Sequence, residues 1–328
     1  MKLLTTSEKS CYQLCPRKHH YRYNMLLRTL WQTEAIRFGS LWHVGQEAWW
    51  SAAEDPLQEA LAAMQQPDSR GGSPDPTQLI IAEELTMLYH ERWANEPYEV
   101  IAVECQFEGP LLNPETGAQS RTFRRAGKMD VLVRDTRDGR ELVVEHKTSS
   151  EDISQGSDYW KMLTLNSQVS DYFAGGKELG HDIAGCLYDV VAKPKLRPLL
   201  ATPVAERKYT KPTKTEPSRL YANQRETDET LDEFRARLRA HIRENPAQWL
   251  QRGLVSRLEE DERDAAFDTW QIAQQIRESE RLDRHPRNPN GCKAYFRICE
   301  YFGVCTRTES LDDETLFRKA ETAHEELA

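Results

Sequence analysis

The pattern of apolar and polar residues predicts helices toward both ends of the chain and strands between them. Helices are predicted at residues 6–30, 36–65, 79–94, 159–178, 229–245 and 258–282. Strands are predicted at residues 100–112, 125–135, 141–148 and 182–193. Residues 66–78 have the composition of a loop, and residues 207–226 that of a loop or irregular hairpin. Helices, a small mixed sheet and further helices, in that order, are typical of an α/β (α+β) layer fold.

Local signals predict where two of these helices begin or end. Gly175 and Gly176 are expected to close the helix at 159–178, because glycine is common just after a helix. Asp228 or Thr227 is expected to cap the helix at 229–245, because an oxygen-bearing side chain can accept hydrogen bonds from the first free N–H groups.

Length, composition and charge limit the class of protein. The 328 residues predict roughly two domains, or one large domain with insertions. No run of about 18 apolar residues occurs, and the N-terminus lacks the apolar stretch of a secretion signal, so we expect a cytoplasmic chain. A net charge of −9 argues against a protein that coats nucleic acid through a uniformly basic surface. Basic clusters at 15–23, 193–198 and 207–214 are compatible with a local basic groove or with solvated faces.

The stretch VVEHKTS, at 143–149, combines a buried strand with charged side chains. The dipeptide DG at 138–139 predicts a two-residue hairpin turn before it, which would place Asp130 opposite Lys147. Because side chains alternate along a strand, Asp130, Glu145 and Lys147 would then share one face. A loop longer by one residue would turn Asp130 to the other face.

Two carboxylates and a lysine at one end of a hairpin indicate a particular chemistry. Adjacent carboxylates repel each other unless a divalent cation lies between them, and Mg²⁺ and Mn²⁺ prefer carboxylate and carbonyl oxygens. A neighbouring ammonium group can position a water molecule or stabilise charge that develops on a phosphate. The set predicts metal-assisted hydrolysis of a phosphodiester. The alternative is a surface salt bridge between Asp130 and Lys147 on an exposed hairpin.

Several segments resemble the motifs of one nuclease family. GKMDVLV at 127–133 and EHKT at 145–148 resemble the Asp…Glu-x-Lys core of PD-(D/E)xK nucleases. FGSLWH at 38–43, QVSDY at 168–172 and CPRKHHYRY at 15–23 resemble three motifs of the RecB-like branch: Gly-x-x-x-His, Gln-x-x-x-Tyr and an opening Cys-Pro-Arg-Lys-aromatic motif. The segments follow one another in the family's order. The resemblance spans about residues 7–305, and residues 194–285 match no motif.

The resemblance implies a restriction-endonuclease-like core and a metal-dependent DNA exonuclease. Asp130, Glu145 and His43 would bind Mg²⁺ or Mn²⁺, and the backbone carbonyl of His146 would supply a further oxygen. Lys147 would align the attacking water and stabilise the transition state. If the resemblance is set aside, His43 could equally well be a histidine that packs among tryptophans.

Two further residues join the catalytic set through the resemblance. Gln168 and Tyr172 lie at i and i+4, so a helix presents them on one face. The family implies that they line the active site and contact DNA or order Lys147, and the alternative is a pair on a helix surface. Glu104 ends an apolar strand and could add another acidic group.

The cysteines lie mainly near the chain ends. An odd number, seven, in a chain expected to be cytosolic argues against a disulfide framework. Cys105 and Cys186 have apolar neighbours and are predicted to be small core residues. Three C-terminal cysteines lack the close spacing of a zinc ribbon and need a fourth ligand. The resemblance to the iron–sulfur members of the RecB-like nucleases implies a [4Fe–4S] cluster held by Cys15, Cys292, Cys299 and Cys305.

Such a cluster would tie the two chain ends around the core, and its ligation energy would be folding energy. Cys11 lies one helical turn before Cys15 and could replace it. Zinc in place of the cluster, and unrelated buried thiols, remain alternatives.

Cations and rings alternate near the start of the chain. Arg17, Lys18, Tyr21 and Arg22 could hold phosphates and stack unpaired bases. The alternative is an amphipathic helix that packs Tyr12 and Tyr21 inward.

These observations predict a single nuclease domain at 1–305 and a charged tail at 306–328. The domain would comprise a core at about 36–193, an insertion at about 194–285 and an iron–sulfur segment at 286–305. The expected partner is DNA, with single strands favoured by the resemblance, together with a recombination or replication protein and no membrane. There are two rival functions. One is a non-catalytic DNA-binding or partner-docking protein that keeps the fold and the metal cluster joining the chain ends. The other is an electron-transfer protein.

Overall fold

The computed structural model describes residues 1–68, 71–213, 217–294 and 297–327. Small parts of several predicted segments therefore lie outside the described residues. These are positions 69–70 of the predicted loop at 66–78, positions 214–216 of the predicted loop or hairpin at 207–226 and of the predicted insertion at about 194–285, positions 295–296 of the predicted iron–sulfur segment, and position 328 of the predicted tail. Position 214 also belongs to the basic cluster at 207–214.

The strands and helices of the described residues have the following bounds. The strands are β1 (Lys2–Leu4), β2 (Leu27–Thr29), β3 (Tyr98–Leu112), β4 (Gln119–Asp135), β5 (Glu141–Ser149), β6 (Ile183–Ala192), β7 (Leu250–Val255), β8 (Lys293–Ala294), β9 (Arg297–Ile298) and β10 (Phe317–Lys319). The helices are α1 (Thr6–Leu14), α2 (Pro16–His19), α3 (Glu34–Ser51), α4 (Pro56–Met64), α5 (Pro76–Trp93), α6 (Asp158–Leu163), α7 (Ser167–Leu179), α8 (Leu231–Glu244), α9 (Pro246–Trp249), α10 (Glu259–Leu282) and α11 (Phe302–Thr306). None of the helices in the described part of the chain is long and apolar enough to cross a membrane.

A six-stranded mixed sheet is organised around β4. β3 runs antiparallel along one edge of β4. The other edge is shared, because β1 pairs in parallel with residues 123–125 and β5 pairs in antiparallel fashion with residues 131–134. β6 then pairs in parallel with β5, and β7 antiparallel with β6. Residues 126–130 of β4 therefore border a gap between β1 and β5.

The core lies on both faces of this sheet. Val131, Leu132 and Val133 are consecutive in β4, and all three are buried. Since neighbouring side chains point to opposite faces, helices must cover both sides, which is why the central strands are continuously apolar rather than alternating. The main hydrophobic cluster joins β4, β5 and β6 to residues of α3, α5, α7 and α8. The predicted α/β (α+β) class, with a mixed sheet flanked by helices, is confirmed.

Two helices predicted near the N-terminus are divided in the structure. The one at 6–30 stops at Leu14, because Cys15 precedes a proline and is extended, with φ −164° and ψ 112°. A short helix, a π-helical turn at His20–Asn24 and strand β2 follow instead. The helix at 36–65 is interrupted between α3 and α4, where the Asp55 side chain accepts a hydrogen bond from the N–H of Gln58 and begins a new helix.

The helix predicted at 159–178 is also divided, because Asn166 caps the start of α7. Gly175 and Gly176 do not close it. α7 continues to Leu179 and ends at Gly180, which has the left-handed φ of 83°. Gly175 instead permits close packing, since a Cβ there would lie 2.5 Å from the ring of Phe107 on β3.

The predicted cap of the helix at 229–245 is wrong as well. Thr230 caps α8 and accepts from the N–H of Glu233, whose side chain accepts from the N–H of Thr230 in return. This reciprocal capping box satisfies two free N–H groups at once, and neither Asp228 nor Thr227 can offer the same spacing.

The two chain ends are joined in what we call the terminal clasp, formed by the described residues of 11–29 and 285–327. β2 pairs with β10. The Tyr301 hydroxyl donates to the Leu27 carbonyl at 2.7 Å, and the buried Arg28 donates to the Glu325 carboxylate at 3.1 Å and to the Ala323 carbonyl at 2.8 Å. These short strands were not predicted, because three residues carry too little alternation to be recognised.

Candidate active site

The β4–β5 hairpin carries the predicted carboxylates in a register that differs from the prediction. Asp130 does not lie opposite Lys147, because the loop is longer than two residues: the N–H of Asp135 donates to the carbonyl of Arg140 at 2.8 Å. The pairing is shifted by two residues as a result. Side chains alternate with a period of two, so this shift keeps Asp130 on the same face as Glu145 and Lys147.

The hairpin opens where the carboxylates begin. Regular pairing of β4 with β5 reaches Val131 and Val144. One residue further, the Asp130 carboxylate accepts the N–H of His146 at 2.8 Å, in place of a backbone carbonyl. The separation of the strands leaves a concave site at the gap between β1 and β5.

A cleft of about 530 Å³ occupies this position. The start of α1, the exposed face of α3, the start of α7 and strands β3 to β5 surround it. Its walls include Thr5, Thr6, Ser7, Ser40, His43, Val44, Glu47, Glu104, Phe107, Gly127, Lys128, Asp130, Glu145, Lys147, Gln168, Tyr172, Glu326 and Leu327. The predicted set of Asp130, Glu145, Lys147, His43, Gln168 and Tyr172 is thus brought together on one cavity.

Hydrogen bonds from α7 hold the Glu145 carboxylate in place. The Tyr172 hydroxyl donates to one oxygen, and Lys147 Nζ donates to the other. Gln168 Nε2 donates to the Tyr172 hydroxyl at 2.6 Å. Tyr172 is almost fully buried, so it borders the cleft mainly as the support of Glu145.

The two carboxyl groups differ in their readiness to ionise. Burial opposes ionisation of Asp130, but the hydrogen bond from His146 and the charges of neighbouring cations outweigh it and lower the pKa of Asp130 below its usual range. Burial raises the pKa of Glu145, and the nearby charge of Asp130 adds to this effect. Lys147 is also desolvated, yet both carboxylates together raise its pKa, so it stays charged. A negative and a positive group therefore face the cleft at neutral pH.

His43 adds a nitrogen donor from α3. Its Nδ1 lies 3.6 Å from Asp130 Oδ2. Although 40 % of the side chain is exposed to the cleft, the surrounding protein desolvates the ring and lowers the pKa of His43 to about 4. The imidazole is therefore neutral at physiological pH, the form that can bind a metal ion.

The donor set at this cleft fits a hard divalent cation. Asp130 and Glu145 offer oxygen, and His43 offers a neutral nitrogen, which suits Mg²⁺ or Mn²⁺. His146, whose carbonyl was predicted as a further ligand, is not among the described residues that line the cleft. Within the described ranges, no three acidic, histidine or cysteine side chains converge as ligands on one point. Lys147 and Tyr172 each donate to one oxygen of Glu145, and each oxygen keeps a second lone pair that a metal ion can use.

Comparison with known proteins identifies the family. The model of the PD-(D/E)XK nuclease superfamily matches residues 4–306. The chain belongs to the PD-(D/E)XK nuclease superfamily. This membership confirms the resemblance seen in the Asp…Glu-x-Lys core and supports nuclease activity on nucleic acid.

Solved structures resemble this PD-(D/E)XK chain only distantly. One is a crystal structure of a Eubacterium rectale protein described as a "putative exonuclease", with 11% sequence identity and a TM-score of 0.44, where the match covers 95% of this chain and 90% of that chain. Another is the crystal structure of SSO0001, with 13% identity and a TM-score of 0.28, where the match covers 74% of each chain. A search of curated proteins found no match.

Two acidic residues complete the PD-(D/E)XK cleft. Glu104 ends no strand, contrary to expectation; it lies within β3 at a left-handed φ of 52° and forms an ion pair with Lys128. Glu47 was not predicted to be near the site. It follows His43 by one helical turn, a spacing that could have indicated it.

A buried polar network packs against the β4–β5 hairpin around His146. The Trp50 indole nitrogen lies 3.0 Å from His146 Nε2 and 3.1 Å from the Tyr89 hydroxyl, and His146 Nδ1 lies 3.4 Å from Asp130 Oδ2. The Tyr89 hydroxyl donates to Asp189 Oδ2 at 2.6 Å. Arg252 donates to both oxygens of Asp189.

We expect Asp189→Ala to destabilise the protein by about 3 kcal/mol, because it leaves the Arg252 guanidinium buried without its carboxylate. Urea unfolding of the variant and the wild type measures this difference. Glu91→Gln is the matched control: it breaks an exposed pair with Arg243 and should cost less than about 1 kcal/mol. If both variants lowered the free energy of unfolding by the same amount, the structural role of the network would be contradicted.

The predicted iron–sulfur cysteines lie in the terminal clasp. Cys15 Sγ accepts the N–H of Asn288 at 3.5 Å, and Cys292 Sγ lies 3.7 Å from the Asn288 carbonyl. The N–H of Cys299 donates to the Cys292 carbonyl at 2.9 Å. Cys305 packs against the same small hydrophobic cluster as Cys299. Segments from both chain ends thus place these cysteines in the terminal clasp, but no three potential ligands among the described residues converge there on one point. Four thiolates are the donor type that an iron–sulfur cluster takes.

Two features of the clasp affect how its cysteines could bind a metal: the raised pKa values of buried thiols and the close packing of the two chain segments. Burial raises the pKa of Cys299 to about 11 and that of Cys11 to about 12, so binding a metal would release protons. Gly291 is required for the approach of the segments, since a Cβ there would lie 2.6 Å from the Leu14 carbonyl oxygen.

The cationic N-terminal set does not reach the catalytic cleft. Arg17 donates to the His285 carbonyl, and Lys18 pairs with Glu300 at 3.0 Å. Tyr21 is buried against Tyr301, so its ring is not available to stack on a base. Arg22 lies near the ring of Tyr23. The contacts of all four are within the terminal clasp.

Proposed function

We propose that this chain is a Mg²⁺- or Mn²⁺-dependent DNA exonuclease of the RecB-like branch, acting on single-stranded ends. The observation that carries the proposal is the convergence of Asp130, Glu145 and Lys147 on one cleft, at an opened hairpin of a PD-(D/E)XK fold. The motif order along the chain supports the RecB-like assignment.

Each residue has a role that follows from its contacts. Asp130, Glu145, His43 and the His146 carbonyl would hold the cation, which supplies Lewis acidity and an acidified water when bound. Lys147 Nζ would orient the water and neutralise charge that develops on the phosphate. Gln168 and Tyr172 would fix the Glu145 carboxylate.

We further infer a [4Fe–4S] cluster at Cys15, Cys292, Cys299 and Cys305, with zinc as the less favoured occupant. Its role would be structural, because these four cysteines belong to the terminal clasp and are not among the residues that line the cleft. A cytoplasmic enzyme of this kind would serve recombination and repair, phage DNA processing or CRISPR adaptation, with a recombination or replication protein as its partner.

The test is cleavage of DNA by anaerobically purified protein. Linear single strands labelled at either end, and closed circular single strands, are incubated with Mn²⁺, Mg²⁺ or EDTA. We expect degradation of linear strands only, and only with a metal. Cleavage of circles would assign an endonuclease, and binding without cleavage under any metal would favour the non-catalytic DNA-binding protein.

A further inference from the structure

A second cavity, of about 700 Å³, lies beside the catalytic cleft. It is enclosed by α3, α4 and the described part of the loop that leads to α5. Ser40 and Val44, on the exposed face of α3, line both this cavity and the catalytic cleft. The two cavities therefore meet along α3, and a chain bound in one can continue into the other. We call the second cavity the side pocket.

The walls of the side pocket suit a flat, partly polar group. Leu41, Ala63, Pro67 and Pro74 supply apolar surface, and the amide side chains of Gln32 and Gln66 supply donors and acceptors. Such walls accept the face of a nucleobase by apolar contact and its edge by hydrogen bonds.

The charged side chains in the described lining of the side pocket are two carboxylates and one guanidinium. Both carboxylates accept backbone N–H groups: Asp68 accepts the N–H of Gly72 at 2.8 Å, and Asp75 caps α5 through the N–H of Gln78 at 2.9 Å. Arg37 is exposed at the pocket and makes a long contact, 3.4 Å, with the Gln32 carbonyl. Among the described lining residues, Arg37 is the one that can offer a cation to a phosphate.

We propose that the side pocket binds an unpaired base of the DNA strand whose phosphate occupies the catalytic cleft, with Arg37 on the adjoining phosphate. The inference rests on the proposed nuclease function and deepens it, because it places the preference for single strands in named residues. A base held in a duplex has its edge paired and its faces stacked, so it does not enter the pocket.

The first test fills the pocket. Ser73 is exposed on its wall, and Ser73→Trp places an indole in the space proposed for the base. Binding of a fluorescent single-stranded oligonucleotide is measured by anisotropy in EDTA, so no cleavage interferes. We expect binding about tenfold weaker, the size of one lost base–surface contact. Thr116→Trp, in the exposed turn between β3 and β4, is the matched control and should bind like the wild type.

Removing single bases from the oligonucleotide locates the contact. In the wild type, one abasic position is expected to weaken binding about tenfold, whereas in Ser73→Trp the same position has no further effect. Arg37→Ala should weaken binding and reduce its salt dependence, and Arg281→Ala, an exposed arginine paired with Glu278, should do neither. Wild-type binding by Ser73→Trp, or equal sensitivity of both proteins at every abasic position, overturns the proposal.

A substrate without bases separates this inference from the proposed function. Bis(p-nitrophenyl) phosphate offers a phosphodiester to the catalytic cleft and nothing to the side pocket. We expect the wild type and Ser73→Trp to hydrolyse it equally. Failure of the wild type to cleave either substrate removes the nuclease function while the anisotropy result still decides the pocket. Loss of hydrolysis of the baseless substrate in Ser73→Trp would show a disturbed catalytic cleft and overturn the pocket assignment.

Discussion

Lys147→Ala is expected to lower the rate of DNA cleavage by about 100-fold or more, since loss of one group that stabilises the transition state costs on that order. Lys147 contributes the cation that lies on the same face as both carboxylates, with Nζ bonded to Glu145. Steady-state cleavage of end-labelled single strands measures the effect. The loss should lie in kcat, with DNA binding in EDTA largely retained.

Removal of Lys147 should also change how the rate depends on pH. Glu145 is 1% exposed, and burial already raises its pKa while Lys147 opposes that rise. Without the ammonium group, the pKa of Glu145 rises further, so any residual activity is lost at a higher pH as the solution is acidified. A rate profile from acidic to neutral pH tests this shift.

A second lysine provides the control for this experiment. Lys177 is exposed on α7 and pairs with Glu262 at 2.6 Å, away from the catalytic cleft. Lys177→Ala removes the same charge and should cleave DNA at the wild-type rate. Near-normal cleavage by Lys147→Ala would refute the catalytic assignment of the hairpin.

Cys299→Ser is expected to harm folding far more than chemistry. If four thiolates hold a cluster in the terminal clasp, ligation energy is folding energy, and loss of one ligand removes much of it. The variant should be colourless, and its thermal midpoint should fall well below that of the wild type. Visible absorption, iron and sulfide content, and thermal unfolding after anaerobic purification measure these changes.

The control for the clasp is Cys105→Ser. Cys105 is a half-buried thiol on β3, outside the clasp, so this variant should keep the colour and unfold near the wild-type temperature. A soluble, colourless and fully active Cys299→Ser protein would count against the cluster. Zinc in the wild type, in place of iron, would assign the alternative metal to the same cysteines.

Part of the active site could be predicted because it depends only on whether the register error is an even or an odd number of residues, and not on the exact register. The face shared by Asp130, Glu145 and Lys147 survives a two-residue error in the hairpin loop, since side chains repeat every two residues. The loop itself was mispredicted because its hydrogen bond between Asp135 and Arg140 outweighs the local preference of the DG dipeptide.

Other features depend on contacts between distant parts of the chain and leave no local signal. β1 is three residues long, yet its parallel pairing with β4 defines one side of the gap that holds the cleft. Asp189 and Trp50 meet around His146 only after β6 and α3 have packed. The divided helices were predicted as continuous because apolar spacing continues across Cys15, although Pro16 was a visible signal for the break.

A newly made chain can complete its terminal clasp only after the segment that carries Glu325 has been made. Arg28 and Glu325 are 297 residues apart, and at about 5–20 residues per second a ribosome needs about 15–60 s to make the intervening chain. The catalytic hairpin leaves the ribosome well before the C-terminal segment that contributes Glu326 and Leu327 to the cleft. Nascent chains therefore pass through a stage in which the hairpin exists and the cleft wall is unfinished, while the messenger RNA and other nucleic acids are close by. Late closure of the clasp would delay a complete cleft wall until residues 326–327 have been made.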